Sequence, residues 1–265
     1  MEQVSLRALT VSEVLDRALR IYRAKFIPLL GIVAFVFIPQ GGLNMLFTSS
    51  LNNPRIVLLI LSVIFQNLAL VALTAGISNA NLGKPFTIQS AYSQGVKRLG
   101  SVIGSSFLVG LAVTIPAIAV GACLSVVGVG FLAVLLVIPI AIFLGTRWSL
   151  YSPAIVIDDM GAVAGLTRSW ELTKDFFWRV FGTSFLATLL TLLLTLLPGL
   201  FVRYILGLMD VPFRLIGVAD VVVQQIALIF ATPFAVAVRV LIYFDLRIRK
   251  EGFDLMIRAE ENQRE

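Results

Sequence analysis

The chain has 265 residues, 58% of them hydrophobic and only 14% charged, with a mean hydropathy of +0.97. A soluble domain carries roughly a quarter charged residues, so this composition excludes an ordinary water-facing globule and calls for surroundings that are themselves apolar. The net charge is +6, there is no histidine, and Cys123 is the single cysteine; the commonest general base, the commonest metal ligand and any internal disulfide are all ruled out.

In lipid only helices and closed barrels satisfy their backbone groups. Barrels need alternating polar and apolar residues, whereas this chain has long unbroken apolar runs. Helices are therefore expected throughout.

The first 25 residues are charged and lack a short apolar region followed by a small-residue cleavage site, so the first apolar run is expected to stay as a permanent anchor. Residues 11–26 place Val11, Val14, Leu15, Ala18, Tyr22 and Phe26 on one helical face, with Ser12, Glu13, Asp16, Arg17, Arg20 and Arg23 opposite. Thr10 with Glu13 forms a capping-box pattern at its start. A span takes about 20 apolar residues. Residues 26–53 supply the first, Pro54 and Arg55 interrupt, and residues 56–78 supply the second.

Residues 88–99 repeat the amphipathic pattern behind Thr87, a candidate cap. Residues 99–146 hold no charge, enough for two spans, with a hairpin expected at 125–130 around Gly128 and Gly130. A weaker amphipathic stretch sets Leu166, Trp170 and Phe177 against Arg168, Glu171, Lys174 and Asp175. Residues 180–197 give a fifth span ending at Pro198 and Gly199, and residues 221–244 a sixth with Arg239 near its end. Residues 200–220 carry Arg203, Asp210, Pro212 and Arg214 and are expected as short interfacial helices.

Eighteen of the 21 basic residues then fall on the side of the termini, and only Arg55, Arg203 and Arg214 on the other. The positive-inside rule places both termini in the cytoplasm. The expected fold is an all-α polytopic membrane bundle of six transmembrane helices, with three amphipathic in-plane helices on the cytoplasmic face. One integral membrane domain covers residues 1–255, and 256–265 form a short polar tail. Setting Gly31, Gly104 and Gly182 in register aligns Leu19, Tyr92 and Trp170, and also Ala18, Ala91 and Ser169. This reads as a threefold internal repeat with units near 10–83, 84–160 and 161–255. The competing reading is that any basic lead-in to a span looks amphipathic.

Polar residues within spans are the default place to look for function. Ser184, Thr188, Thr191 and Thr195 share one face of the fifth span, as helix-packing groups or as the wall of a pathway. Gln66, Asn67, Gln224 and Gln225 are open to interhelical hydrogen bonding. Arg239 either snorkels to the headgroups or is a buried functional charge. Catalytic, cofactor-binding and metal-ligating constellations are not found: Asp158 and Asp159 are adjacent and point apart, and no glycine loop suits a phosphate.

Residues 147–182 and 241–255 carry a further pattern. It comprises Arg147 and Trp148, Pro153 to Val156, Arg168 to Trp170, and the run Tyr243, Asp245, Arg247, Arg249, Glu251 and Gly252. Together with Asp16–Arg17 and Tyr22–Arg23, these resemble the bacterial glycerophosphoryl diester phosphodiesterase membrane domain family over essentially the whole chain. The resemblance implies a multi-pass bacterial membrane protein. In relatives where this region precedes a soluble phosphodiesterase, it implies catalysis by histidines and acidic metal ligands. With no histidine here, that activity does not carry over.

The signature also reads physically. In a continuing helix, Asp245 with Arg249 and Arg247 with Glu251 are i,i+4 pairs, and Gly252 suits the helix end. Such a helix would dock against the loop bearing Asp158, Asp159 and Arg168, or serve as a basic flank held by headgroups. The expected function is non-enzymatic: organising anionic lipid, or a protein partner, at the cytoplasmic leaflet of the inner membrane, with no cofactor and no nucleic acid. A transporter or channel subunit and a membrane-embedded lipid-processing enzyme are the alternatives.

Overall fold

The computed structural model describes residues 9–48, 55–126, 129, 132–209 and 211–252. In chain order the helices are α1 (Val11–Ala24), α2 (Phe26–Thr48), α3 (Arg55–Asn81), α4 (Ile88–Gly95), α5 (Leu99–Val126), α6 (Ala133–Arg147), α7 (Tyr151–Ile157), α8 (Ala162–Thr173), α9 (Phe177–Leu208) and α10 (Phe213–Glu251). A single 3-10 turn, Val96–Arg98, joins α4 to α5. No strand occurs among the described residues. Six helices, α2, α3, α5, α6, α9 and α10, are long and apolar enough to cross a membrane; the apolar stretch of α6 continues through α7 to Ile157. The protein is an all-α multi-pass membrane protein.

Local signals set the helix ends. Thr10 caps α1: the Glu13 N–H donates to its hydroxyl at 3.3 Å, and its own N–H donates to the Glu13 carboxylate at 2.7 Å. Thr87 caps α4 through Ser90 in the same reciprocal way. Pro28 sits in the first turn of α2, where its missing N–H has no helical acceptor to lose.

Two segments differ from the sequence expectation. Residues 200–220 are not short interfacial helices. They complete α9 and open α10, which Met209–Pro212 join directly. The charges in this stretch are matched across the hairpin, because Arg203 donates to both carboxylate oxygens of Asp220, through Nε at 2.9 Å. The pairing removes the polar break that the isolated segment presents. The second difference is α7, which lies where a loop was expected. Ser152, Pro153, Ala154 and Ile155 are buried, so the helix has no polar face to produce a 3.6-residue period. The hairpin expected at 125–130 falls largely outside the described residues; of these only Ser125 and Val126, in α5, and Val129 lie within them.

The packed core lies toward one end of the bundle. Leu29, Ile32, Val33 and Val36 of α2, Ala69 to Ile77 of α3, and Ala231 to Leu246 of α10 are mostly buried there. Val14 and Ala18 of α1, Ala91 of α4, and Leu172 of α8 complete it. This end holds the short helices and most of the ion pairs, and is called the charged end below. Toward the other end the same long helices expose Ile56, Leu59, Phe107, Ile118, Leu135, Leu193, Phe201 and Leu215. Apolar exposure on this scale is stable only against lipid.

Candidate functional site

The last three turns of α10 bring most of the sequence-predicted site residues to the charged end. Steps of four along a helix keep residues on neighbouring positions of one face. Asp245 and Arg249 therefore look one way, and Tyr243, Arg247 and Glu251 another.

On the first face, the Asp245 side chain is only 1% exposed. Arg179, from the first turn of α9, reaches it at 2.9 Å, Arg249 at 3.1 Å, and the Leu9 N–H donates to it at 2.7 Å. The two guanidinium groups also donate to the Leu9 carbonyl, Arg249 at 2.8 Å. One carboxylate thus fastens the segment leading into α1, the start of α9 and the end of α10. A buried carboxylate is tolerable only with this density of charged and backbone donors.

On the second face, the Tyr243 hydroxyl donates to Asp158, at the turn after α7. Arg247 donates to the other Asp158 oxygen at 2.9 Å and to Glu251 at 3.3 Å. Arg168 of α8 pairs with Glu251 and approaches Asp158 at 3.7 Å. Burial pulls the Arg168 pKa down, but hydrogen bonding to Tyr243 and attraction from Glu251 outweigh it, and the guanidinium is held more firmly charged than usual. Two carboxylates and two guanidinium groups close the cluster near neutrality. Gly252 ends α10 in the left-handed conformation, φ 60°, as a helix-terminal glycine can.

Asp159 goes elsewhere. It occupies the left-handed region at φ 58°, with Met160 N–H bonded to the Ile155 carbonyl, a Schellman-type closure of α7. Its carboxylate turns to Arg98, whose hydrogen bond holds the Asp159 pKa below the usual carboxylate range. Lys250 bonds Asp175 at 2.6 Å and the Glu171 carbonyl at 2.7 Å, tying α10 to the α8–α9 turn and lowering the Asp175 pKa likewise.

Arg147, Trp148 and Trp170 form a separate group. The Arg147 guanidinium lies over Phe143, Trp170 and Phe177 at 5.2, 5.1 and 5.5 Å. Its Nε and Nη1 are buried without a hydrogen-bond acceptor, so the aromatic faces supply its stabilisation. Trp148 packs on Trp170 at 5.8 Å. The aromatic series continues through Phe177, Trp178, Phe181 and Phe185. It contains all three tryptophans of the chain.

Arg239 joins none of these clusters. It is exposed, and no hydrogen bond or ion pair connects it to another described residue. It borders a groove of about 240 Å³ between α6, α9 and α10, with Thr146, Ser149, Ser184 and Thr188 among the lining residues. Thr191 and Thr195, on the same face of α9, donate to the carbonyls one turn back instead. Asn67 bonds Ser106 at 2.8 Å, and Ser106 meets the Tyr151 hydroxyl at 2.9 Å, a polar link between α3, α5 and α7.

Sequence reasoning missed Arg179, whose role depends on a contact 66 positions away, and the Leu9 backbone, which no side-chain motif marks. It picked out Ser184, but not the convergence of Ser184 with Arg239. Comparison with protein-family models, curated proteins and solved structures finds no match to this chain.

Proposed function

We propose that the chain is a non-enzymatic protein of a bacterial inner membrane, with its charged end in the cytoplasm, that gathers anionic lipid at the cytoplasmic leaflet. The observation that carries this reading is the set of cations the charged end leaves over. Arg17, Arg23, Lys25, Lys84, Lys97 and Lys174 have no carboxylate partner among the described residues. Each basic residue near an anionic surface adds about 1 kcal/mol of attraction. Six of them beside six apolar helices make a lipid-facing collar.

The carboxylates at the same end support the non-enzymatic part. Asp158, Asp245 and Glu251 are each engaged by arginines, and a base held in that way is poorly disposed to take a proton. Among the described residues no group of histidine, cysteine or acidic side chains suits a metal ion. The proposal also takes the chain as a relative of the glycerophosphoryl diester phosphodiesterase membrane domain family. Its support is that all six positions of the resembling run, Tyr243 to Gly252, serve one structural task. The threefold repeat belongs to the same proposal, and the equivalent positions Ala18, Ala91 and Ser169 are all fully buried.

The test is lipid selectivity. In vesicles of mixed neutral and anionic phospholipid, spin-labelled anionic lipid should be enriched around the reconstituted protein, and added salt should weaken the enrichment. Equal association of neutral and anionic labels would refute the reading.

A further inference from the structure

We infer that the groove between α6, α9 and α10 holds the phosphate of an anionic phospholipid, with Arg239 as its counter-ion. The inference rests on the anionic-lipid reading above and gives that reading a specific site.

Three observations converge on the groove. The first is the unpaired charge. Every other described arginine of α8, α9 and α10 whose side chain is described contacts a carboxylate, whereas Arg239 contacts none. It lies six residues before Asp245, about 9 Å deeper along α10 from the charged end. At that depth an uncompensated cation is costly, and intramembrane charges normally have a partner. The second is Ser184. Its hydroxyl oxygen is buried in the same groove and has no hydrogen-bond partner, a state that buried polar groups rarely keep. A phosphate oxygen would accept from both groups. The third is position. Phe181 and Phe185 form part of the wall, and they continue the aromatic series that contains all three tryptophans. Such series mark the headgroup level of a bilayer.

The chemistry selects the lipid class. No acidic residue lines the groove, so nothing there receives the ammonium of a zwitterionic headgroup. Below it α9 exposes Leu189, Leu192 and Leu193, an apolar flank along which acyl chains can lie. A phosphate carrying net negative charge, with its chains directed toward the other end of the bundle, satisfies all of these groups.

Native mass spectrometry of the full chain, delipidated in neutral detergent and titrated with phosphatidylglycerol, phosphatidylcholine or inorganic phosphate, tests the site. The expected result is one phosphatidylglycerol bound in preference to phosphatidylcholine. Arg239→Gln should weaken it about tenfold, as loss of one charge-assisted bond does. Arg239→Lys should retain most of the affinity, and Ser184→Ala should lose a few-fold. Because neither side chain supports another, both variants should melt with the wild type. Unchanged binding in Arg239→Gln and Ser184→Ala overturns the site. Inorganic phosphate that competes at equal concentration overturns the lipid assignment.

The vesicle experiment separates this site from the broader reading. If enrichment survives Arg239→Gln but is lost when Arg17, Arg23 and Lys25 are changed to Gln, the collar stands and the groove falls. If the wild type shows no preference, both fall.

Discussion

Asp245 shows how much a single buried charge can be asked to hold. Its side chain is closed to solvent, and its donors come from three separate parts of the chain: Leu9, Arg179 and Arg249. Removing one partner of a buried ion pair costs about 3–5 kcal/mol, because the remaining charges are left uncompensated. Asp245→Asn keeps the shape and one acceptor oxygen but strands both guanidinium groups. It should lower the unfolding free energy in detergent by about 3 kcal/mol. Arg179→Gln alone should cost less, and the two changes together should fall short of their sum, since they remove the same interaction. Strict additivity in that cycle, or an Asp245→Asn variant as stable as the wild type, would mean that the cluster is not a fastening point.

At the scale of elements, close approach of backbones decides which substitutions are tolerated. A Cβ on Gly95 would sit 2.7 Å from the Val71 carbonyl carbon and 2.9 Å from the Ala72 nitrogen, because α4 crosses α3 main chain to main chain. Backbone cannot yield as a side-chain tip can, so Gly95→Ala should destabilise by about 1–3 kcal/mol. Gly110, in α5, meets nothing within 4 Å. There the same change should be neutral or stabilise by up to about 1 kcal/mol through helix propensity. Opposite signs in thermal unfolding are the expected outcome, and like signs would contradict the α3–α4 geometry. Legibility in the sequence followed the same division. The caps Thr10 and Thr87 and the i,i+4 pairs of α10 are local, and both were readable from residue spacing alone. The helix α7 was not, because a helix buried all round leaves no period to detect. The extension of α9 and α10 was hidden for another reason. Arg203 and Asp220 look like solvent-seeking charges until the hairpin brings them together. The partners of Asp245 depend on tertiary contacts, which no spacing encodes.

Across the whole molecule, the two ends differ in what holds them. At the charged end, α1, α7 and α8 are bound to α10 by buried side chains and ion pairs, while the opposite halves of the long helices present apolar side chains outward. Lipid must therefore do at one end what protein does at the other. The distribution of basic residues gives the assembly a direction. With eighteen on one side and three on the other, the positive-inside rule assigns the charged end to the cytoplasm. The longer α9 and α10 leave that assignment intact, because Arg203 lies near the far turn and is matched by Asp220. Two exposed positions test it. In a Cys123→Ser background, Met209→Cys marks the α9–α10 turn and Arg20→Cys marks the outer face of α1. A membrane-impermeant thiol reagent applied to intact cells should label the cysteine at 209 and not the one at 20. Disrupting the membrane should expose both. The reverse pattern would invert the protein, moving the cationic collar and the Arg239 groove to the outer leaflet; labelling of both positions in sealed cells would break the even number of crossings on which the orientation depends.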